Sequence, residues 1–566
     1  MLAAIQWTPF YQLLLRFACL FCPESQTSKT NPTVITPYGT VEGIKIASRK
    51  GIEADAFLGI PYAQPPIAEL RFQKPQPTIK WERTFKATKH GHVCASHIVI
   101  PSDTSQSEDC LVLNILRPAN LPASSSQPVL VYVHGGAFQS GTGNSFNRNG
   151  QIEQFTSHGI IVVSINYRLS AFGYFTTASS NAPGNYGLWD QLQALQFIHE
   201  IIGSFGGDPN NVTIWGQSAG AASVSWLSLR PEAKHLFSKV ISMSGSAQDL
   251  WANNDILKPS QTVAESLGCN YTSEDIVPCL QQFSTKQVTK AALQGVHSLA
   301  FDDRVNFARY CPRFDGDFIN YTTFKGAIAN APKRPHLFGL NTQEDGGNAI
   351  ITTSNAHYFP LSLKKAKNYT IHDLKTMVEN LIARKDLFGD NANAAAEAIF
   401  AFYSRPQPDS NYTHDFYAQS FVQVISDIRF NVPSLREAVE KAKAGFNDVY
   451  FYKYTHVPKG LHNFVDGTEH TDDLHAIMDG GTTVTQIVEE FGELIRNFVK
   501  TGVPSTTYLT AKAIDPTSSK VPFVRIDAPR FTNHEDLWSD RAALWDTVAS
   551  KFGYDWPLGR KVDHEI

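Results

Sequence analysis

Short apolar runs that end in glycine-containing or polar turns recur along the chain and predict the buried strands of an α/β protein. Three of them matter most: residues 128–133 (PVLVYV), 212–215 (VTIW) and 448–457 (DVYFYKYTHV). Each is rich in β-branched or aromatic residues, as buried strands are. The residues after each run therefore lie at a strand end, where loops carry functional residues.

The segment FGGDPNNVTIWGQSAG at residues 205–220 is the most informative in the chain. After the predicted strand 212–215 it turns sharply at Ser218, and the small residues beyond the turn predict a helix. Gly216 and Gly220 occupy the two positions where a bulky side chain would clash in so tight a turn. This strand–turn–helix pattern predicts a nucleophile elbow, which presents one serine hydroxyl above the carboxyl end of a sheet.

A serine hydroxyl needs a base to take its proton and an acid to orient that base. In elbow-containing proteins the acid precedes the histidine along the chain. His470 is the candidate base, because GTEHTDDLH is a polar loop after the predicted strand 448–457. The candidate acid lies in LFGLNTQEDGG, where Glu344 is favoured and Asp345 remains an alternative.

The predicted strand 128–133 runs directly into HGGAF, residues 134–138. Glycine lets a backbone approach a substrate carbonyl closely with its N–H groups directed at it. We therefore expect Gly135 and Gly136 to donate hydrogen bonds to an oxyanion, with a third donor from the N–H of Ala219. An ordinary turn is the alternative for this glycine pair.

A chain of 566 residues would by length alone suggest several domains. Candidate catalytic residues at positions 218, 344 and 470 argue instead for one catalytic domain over residues 25–566, since a cut between them would separate the site. With 42% hydrophobic residues, 18% charged residues and a net charge of −4, the composition is that of a globular protein. No basic run indicates nucleic acid, no internal apolar stretch suggests a membrane span, and the chemistry needs no metal or other cofactor.

Several features predict passage through the secretory pathway. Residues 1–24 include an apolar stretch, LLLRFACLFC, typical of a signal peptide although Arg16 interrupts it. Glycosylation sequons are expected to be used at Asn270, Asn320, Asn368 and Asn411. The sequon at Asn211 lies beside the elbow strand and is expected to stay unmodified.

The cysteines fit the same compartment. Cys94 and Cys110 bracket a polar loop, Cys269 and Cys279 bracket a shorter one, and each pair is predicted to form a local disulfide. Buried reduced thiols are the alternative, and Cys311 is left outside both pairs.

Taken with these residues, the chain resembles the type-B carboxylesterases, the family that includes cholinesterases and bile-salt-type lipases. The resemblance runs nearly end to end through these blocks: FLGIPYAQPPIAELRF, SEDCLVLNILRP, SINYRLSAFGYF, GNYGLWDQLQAL, FGGDPNNVTIWGQSAG, CPRFDGDFI, SDIRFNVP and GTEHTDDL. It implies an α/β-hydrolase fold, with a mostly parallel central sheet and helices on both faces. It also implies hydrolysis of small-molecule carboxylic esters through an acyl-enzyme.

The resemblance assigns a role to each candidate. Glu344 rather than Asp345 matches the family's acid. The remaining assignments are Ser218 as nucleophile, His470 as base, Gly135, Gly136 and Ala219 as oxyanion hole, and disulfides Cys94–Cys110 and Cys269–Cys279.

Departures from the family pattern bear on the substrate. Gln217 replaces the glutamate that most members carry before the serine. The Cys94–Cys110 loop contains no Phe, Tyr or Trp, so the cation–π site for choline is absent and a choline-ester specialist is not expected. Trp251 resembles an acyl-pocket wall, with an ordinary core tryptophan as the alternative.

The alternatives to a carboxylesterase are a lipase for long acyl chains and a non-catalytic, cholinesterase-like interaction protein. Secretion is the expected localisation. The C-terminal DHEI resembles a retrieval signal and makes the endoplasmic-reticulum lumen the alternative.

Overall fold

A computed structural model describes residues 31–562, apart from 101, 103, 146, 255, 298–304, 352–360, 406–414, 458–464 and 479–483. The predicted signal peptide, the Asn411 sequon and the C-terminal DHEI therefore lie outside the described residues.

Eleven strands of the described chain form one central sheet. Numbered in chain order, they are β1 (Ile44–Ala47), β2 (Glu53–Pro61), β3 (Val112–Pro118), β4 (Gln127–Val133), β5 (Ile161–Ile165), β6 (Gly207–Gln217), β7 (Lys239–Met243), β8 (His336–Asn341), β9 (Val449–Tyr454), β10 (Phe523–Ile526) and β11 (Thr532–His534). Short strands outside this sheet are Thr33–Thr36, Gly39–Glu42, Phe85–Lys86, Val93–Cys94, Gln106–Ser107, Ile350–Ile351, Leu361–Ser362, Tyr554–Asp555 and Arg560–Lys561.

The strands follow one another across the sheet in the order β11-β10-β9-β8-β7-β6-β4-β5-β3-β2-β1. From β10 to β5 every neighbouring pair is parallel, and the pairs at both edges are antiparallel. The carboxyl ends of β6, β7, β8 and β9 consequently meet at one rim, where loops of α/β sheets form binding sites.

Helices surround the sheet. In chain order they are α1 (Arg148–Gln154), α2 (Ser170–Tyr174), α3 (Tyr186–Ile201), α4 (Ala219–Ser228), α5 (Leu257–Ser266), α6 (Ile276–Gln281), α7 (Thr285–His297), α8 (Phe324–Asn330), α9 (Gly346–Ala349), α10 (Leu363–Ala366), α11 (Ile371–Met377), α12 (Lys385–Phe388), α13 (Ala392–Tyr403), α14 (Phe416–Ser426), α15 (Val432–Lys443), α16 (Asp472–Met478), α17 (Thr485–Thr501) and α18 (Ser539–Phe552). A wider π-helical turn at Asp427–Asn431 lies between α14 and α15, and a second one at Val378–Ile382 ends the helical stretch that begins with α11.

Each face of the sheet carries its own hydrophobic core, because successive side chains of a strand point to opposite faces. In β4, Val131 belongs to the core that contains Trp226 of α4. Its neighbour Tyr132 belongs to the opposite core, which contains Phe491 of α17. This arrangement, with a parallel centre and helices on both faces, confirms the predicted fold class.

Two disulfides each close a short loop. Disulfides join Cys94 to Cys110 and Cys269 to Cys279, and Cys311 is buried outside both. Among the described residues, none of the helices combines the length and apolar character needed to span a bilayer.

Candidate active site

Ser218 sits at the sharp turn between β6 and α4. Its backbone has φ 59° and ψ −127°, a conformation that L-residues rarely adopt, and the residue is 7% exposed. Such strain persists only where the surroundings enforce it. The turn places the serine at the rim formed by the parallel strands.

The flanking glycines are required by contact. A Cβ added to Gly216 would lie 2.0 Å from the carbonyl oxygen of Gly220, and one added to Gly220 would lie 2.0 Å from the carbonyl oxygen of Val133. Neither position can hold a side chain without moving backbone, as the sequence pattern predicts.

His470 and Glu344 meet at the same rim. The Nδ1 atom of His470, in the loop between β9 and α16, lies 2.7 Å from Oε2 of Glu344, in the turn after β8. Glu344 is fully buried. Its other oxygen, Oε1, accepts hydrogen bonds from the Ser244 hydroxyl and the Asn341 N–H, each at 2.7 Å. The carboxylate is thus fixed in place, with one oxygen directed at the imidazole.

Asp345, the alternative acid, faces elsewhere. Its carboxylate is buried and forms an ion pair with Arg429, with Nη1 and Oδ2 2.8 Å apart. Of the two acidic neighbours, the structure brings Glu344 to the histidine.

The second imidazole nitrogen points to the elbow. His470 Nε2 lies 3.2 Å from the side-chain amide nitrogen of Gln217, the residue immediately before Ser218. Within the described part of the chain, no hydrogen bond is formed by the Ser218 hydroxyl. Sequence reasoning marked Gln217 as unusual but missed this contact, since side-chain direction at a strained turn cannot be read from a motif.

Burial alone lowers the pKa of His470, but the hydrogen bond and the negative charge of Glu344 outweigh it. The pKa of His470 is therefore raised above its ordinary value of 6.5. A second buried acid lies nearby: burial, with a contribution from Glu344, raises the pKa of Asp473 to about 6. Asn341 links the two acids, since its side-chain amide lies 3.3 Å from Glu344 Oε1 and 3.2 Å from Asp473 Oδ1.

The loop after β4 lies against the elbow. A Cβ added to Gly135 would be 2.9 Å from Cβ of Ser218. Three successive carbonyl groups of this loop, those of His134, Gly135 and Gly136, accept hydrogen bonds from the protein itself. In a trans peptide the N–H points opposite to the carbonyl, so the N–H groups of Gly135, Gly136 and Ala137 face away from these donors. Sequence reasoning missed Ala137, whose positive φ of 56° is not expected for alanine.

An aromatic wall stands beside the elbow. Trp251 is fully buried and stacks on Phe307, with ring centroids 5.3 Å apart. Phe430 contacts both Trp251 and His470, at centroid distances of 5.4 and 4.8 Å. Gly245 shows how near this wall is, because a Cβ there would lie 2.7 Å from the Ser218 carbonyl oxygen and 3.3 Å from the Trp251 ring.

The structure gives no indication of a metal centre within the described ranges, where no three His, Cys, Asp or Glu side chains are grouped to hold an ion.

Comparisons with known proteins identify the family of the chain. The family model described as "Carboxylesterase family" matches residues 30–545. Gut esterase 1 of Caenorhabditis briggsae is 30% identical over 93% of this chain and 94% of its own length. Juvenile hormone esterase of Tribolium castaneum is 30% identical over 80% and 79%, and bile salt-activated lipase of Bos taurus is 30% identical over 85% and 81%. The chain therefore belongs to the carboxylesterase family and is a carboxylic ester hydrolase.

Proposed function

We propose that the protein hydrolyses small-molecule carboxylic esters through an acyl-enzyme, with Ser218 as nucleophile, His470 as base and Glu344 as acid. The contact between His470 Nδ1 and Glu344 Oε2 is the observation that carries this proposal. It leaves the opposite nitrogen of the imidazole directed at the elbow, where a base for Ser218 is needed.

In the first half-reaction, His470 Nε2 takes the Ser218 proton while the serine oxygen attacks the ester carbonyl. The oxyanion that forms accepts hydrogen bonds from the N–H groups of Gly135, Gly136 and Ala219. Ala137 is a further candidate donor, because the Gly136 carbonyl is held by the Gln139 and Ser140 N–H groups on the other side of the peptide. Loss of one such donor costs about 2.7–4 kcal/mol of transition-state stabilisation.

His470 then protonates the leaving alcohol as the tetrahedral intermediate collapses, which completes the first half-reaction and leaves the acyl-enzyme. In the second half-reaction, His470 takes a proton from the water that attacks the acyl-enzyme, and Ser218 regains that proton as the carboxylic acid leaves. Glu344 stays ionised, fixes the proton on Nδ1 and stabilises the imidazolium. In the structure, the Gln217 amide lies against Nε2 of His470. During the reaction it must move aside so that the Ser218 hydroxyl can contact that nitrogen.

Trp251, Phe307 and Phe430 form the proposed wall of the acyl pocket. Their mutual contacts close the space beside His470 with rigid rings, which favours esters of short acids over long acyl chains. A lipase preference is the competing hypothesis, and it requires that this wall open.

The two disulfides fit an oxidising compartment. We propose that the protein passes through the secretory pathway and is secreted. The sequons at Asn270, Asn320 and Asn368 are exposed, as glycosylation requires.

Hydrolysis of p-nitrophenyl esters from acetate to palmitate tests the proposal, with Ser218→Ala measured alongside. We expect a maximum at short acyl chains and loss of turnover in Ser218→Ala. Trp251→Ala should shift the maximum to longer chains by removing part of the wall.

A wild-type maximum at long chains would replace the esterase assignment with a lipase. Turnover that survives Ser218→Ala would exclude Ser218 as nucleophile. No turnover of any ester by the folded wild-type protein would favour the non-catalytic interaction protein.

A further inference from the structure

His134 and Tyr167, which we call the carbonyl clamp, hold the loop that lies against Ser218. The Tyr167 hydroxyl donates a hydrogen bond of 2.8 Å to the His134 carbonyl. The His134 ring in turn contacts the Gly135 carbonyl through Nδ1, also at 2.8 Å. The two rings stack with centroids 4.4 Å apart, and both residues are buried.

The chemistry of these contacts fixes the tautomer of His134. A carbonyl oxygen only accepts hydrogen bonds, so Nδ1 must carry the proton and Nε2 the lone pair. Nε2 is buried without a hydrogen-bond partner in the described part of the chain. Burial lowers the pKa of His134 to about 4, so the ring is a neutral, permanent donor at neutral pH.

The Gly135 carbonyl and the Gly136 N–H belong to one planar peptide and point in opposite directions. Whatever holds the carbonyl therefore also sets the direction of the N–H. Gly136 has a φ of 114°, a conformation that favours glycine, and without a Cβ its own sterics restrain the preceding peptide only weakly. His134 is the side chain that fixes it.

We propose that His134, held by Tyr167, is a positioning residue that aims the Gly136 N–H at the oxyanion formed on attack by Ser218. The inference rests on the proposed function, since it needs an oxyanion at Ser218. His134 itself touches neither the substrate nor the reacting atoms in this scheme.

Two substitutions separate the donor from the ring. His134→Phe keeps a stacking ring and removes the donor, whereas His134→Asn removes the ring and keeps an amide N–H near the position of Nδ1. We expect His134→Phe to lower kcat by about 100-fold with KM changed by less than about threefold, because oxyanion contacts act in the transition state. His134→Asn should recover at least about tenfold of that loss.

The affinity for a trifluoromethyl ketone, which forms a tetrahedral adduct with a nucleophilic serine, gives a second readout. It should fall in His134→Phe by the same factor as kcat, while the affinity for a product alcohol stays unchanged. The concentration of reactive serine is measured by titration with a phosphonate, and kcat is calculated per reactive site. Misfolded protein therefore does not lower the measured kcat. If His134→Phe does not fold, Tyr167→Phe supplies the test and should show the same kcat-selective loss at about tenfold.

Full kcat in folded His134→Phe, or a kcat loss without a matching loss of ketone affinity, overturns the clamp. In the Tyr167→Phe test, an unchanged kcat overturns it equally. Each of these results leaves the proposed function standing as long as Ser218→Ala is inactive. Turnover in Ser218→Ala overturns the proposed function and the clamp together.

Discussion

Gln217 occupies the nitrogen of His470 that the proposed mechanism needs for Ser218. The contact is 3.2 Å long, and Gln217 is only 4% exposed. An amide at this position carries no charge and leaves the imidazole neutral. A carboxylate in its place would stabilise the imidazolium, so we expect the identity of this residue to affect the pH dependence of the enzyme.

We therefore predict that Gln217→Glu moves the acid limb of kcat/KM to higher pH by about one unit or more, since a neighbouring opposite charge raises the pKa of a histidine. Gln217→Met removes the amide without adding a charge, and its midpoint should stay close to that of the wild type. The measurement is a pH profile of ester hydrolysis for the three proteins. An unshifted midpoint in Gln217→Glu would contradict this role of the contact.

For the wild-type protein, we expect ester hydrolysis to fall on the acid side of the pH profile. His470 must be neutral to act as base, and its pKa lies above 6.5 because of Glu344. Activity should therefore decline as the pH falls through a midpoint above 6.5. Glu344→Gln removes the charge and leaves the burial, so the midpoint should move down and kcat should drop by about 10⁴-fold.

The matched control is Glu469→Gln, the same change one residue from His470. The Glu469 side chain lies beside Gly346, as a Cβ there would be 2.9 Å from its Cγ. A profile that changes equally in both variants would show that Glu344 has no special role.

Among the elements, the loop closed by Cys94 and Cys110 is tied to the loop after β4. The Ser96 hydroxyl donates a hydrogen bond to the Gln139 carbonyl. Gln139 in turn donates its N–H to the Gly136 carbonyl at 2.9 Å. The disulfide loop therefore supports the proposed oxyanion loop. The Cys269–Cys279 loop follows α5, and among the described residues no hydrogen bond is seen between it and residues 134–140.

Replacing each cysteine pair by serines should lower the free energy of unfolding by about 2–4 kcal/mol in either case. Only the Cys94→Ser/Cys110→Ser protein should also lose several-fold in kcat, because only that loop supports Gln139. Denaturant unfolding and kcat per titrated site measure the two effects. Equal kcat in the two double variants would refute the mechanical link between the loops.

The elements also show what a sequence can and cannot predict. β4, β6 and β9 were predictable because buried strands consist of apolar runs. The elbow was predictable because its close contacts require glycine at positions 216 and 220. The direction of the Gln217 side chain and the outward-turned carbonyls of residues 134–136 were not predictable. The Gln217 side chain meets His470 and the His134 carbonyl meets Tyr167, both from distant segments, and no local pattern records such partners. The Gly135 and Gly136 carbonyls are held by His134, Gln139 and Ser140 of the same loop, but the motif does not show which way each peptide turns.

A buried polar network between α15 and β8 was also not predictable from the sequence. Lys441 of α15 is fully buried and contacts Glu437 and His336, at 2.6 and 3.0 Å. Charges in a core are acceptable only when they are paired and hydrogen-bonded, and this network satisfies that condition between α15 and β8. Charged residues on a helix normally predict a solvated face, so sequence reasoning places them outside.

At the scale of the whole molecule, the sequons differ in how far their asparagine side chains are exposed to solvent. Asn270 is exposed, whereas Asn211 is half-buried and its side-chain oxygen accepts a hydrogen bond of 2.6 Å from Lys239 Nζ. For protein secreted by eukaryotic cells, we predict that Asn270→Gln removes the mass of one glycan and that Asn211→Gln removes none. Intact mass before and after glycosidase treatment measures both, and glycan at Asn211 would show that this site opens during folding.

The proposed nucleophile, acid and base follow three different strands, β6, β8 and β9, which reach the same rim only after the sheet has assembled. During translation, Ser218 leaves the ribosome long before His470 exists. On the proposed mechanism, a nascent chain that lacks His470 therefore has no base with which to activate Ser218. On the proposed mechanism, esterase activity begins only when β9 docks beside β8, so its onset reports assembly of the rim that carries the site.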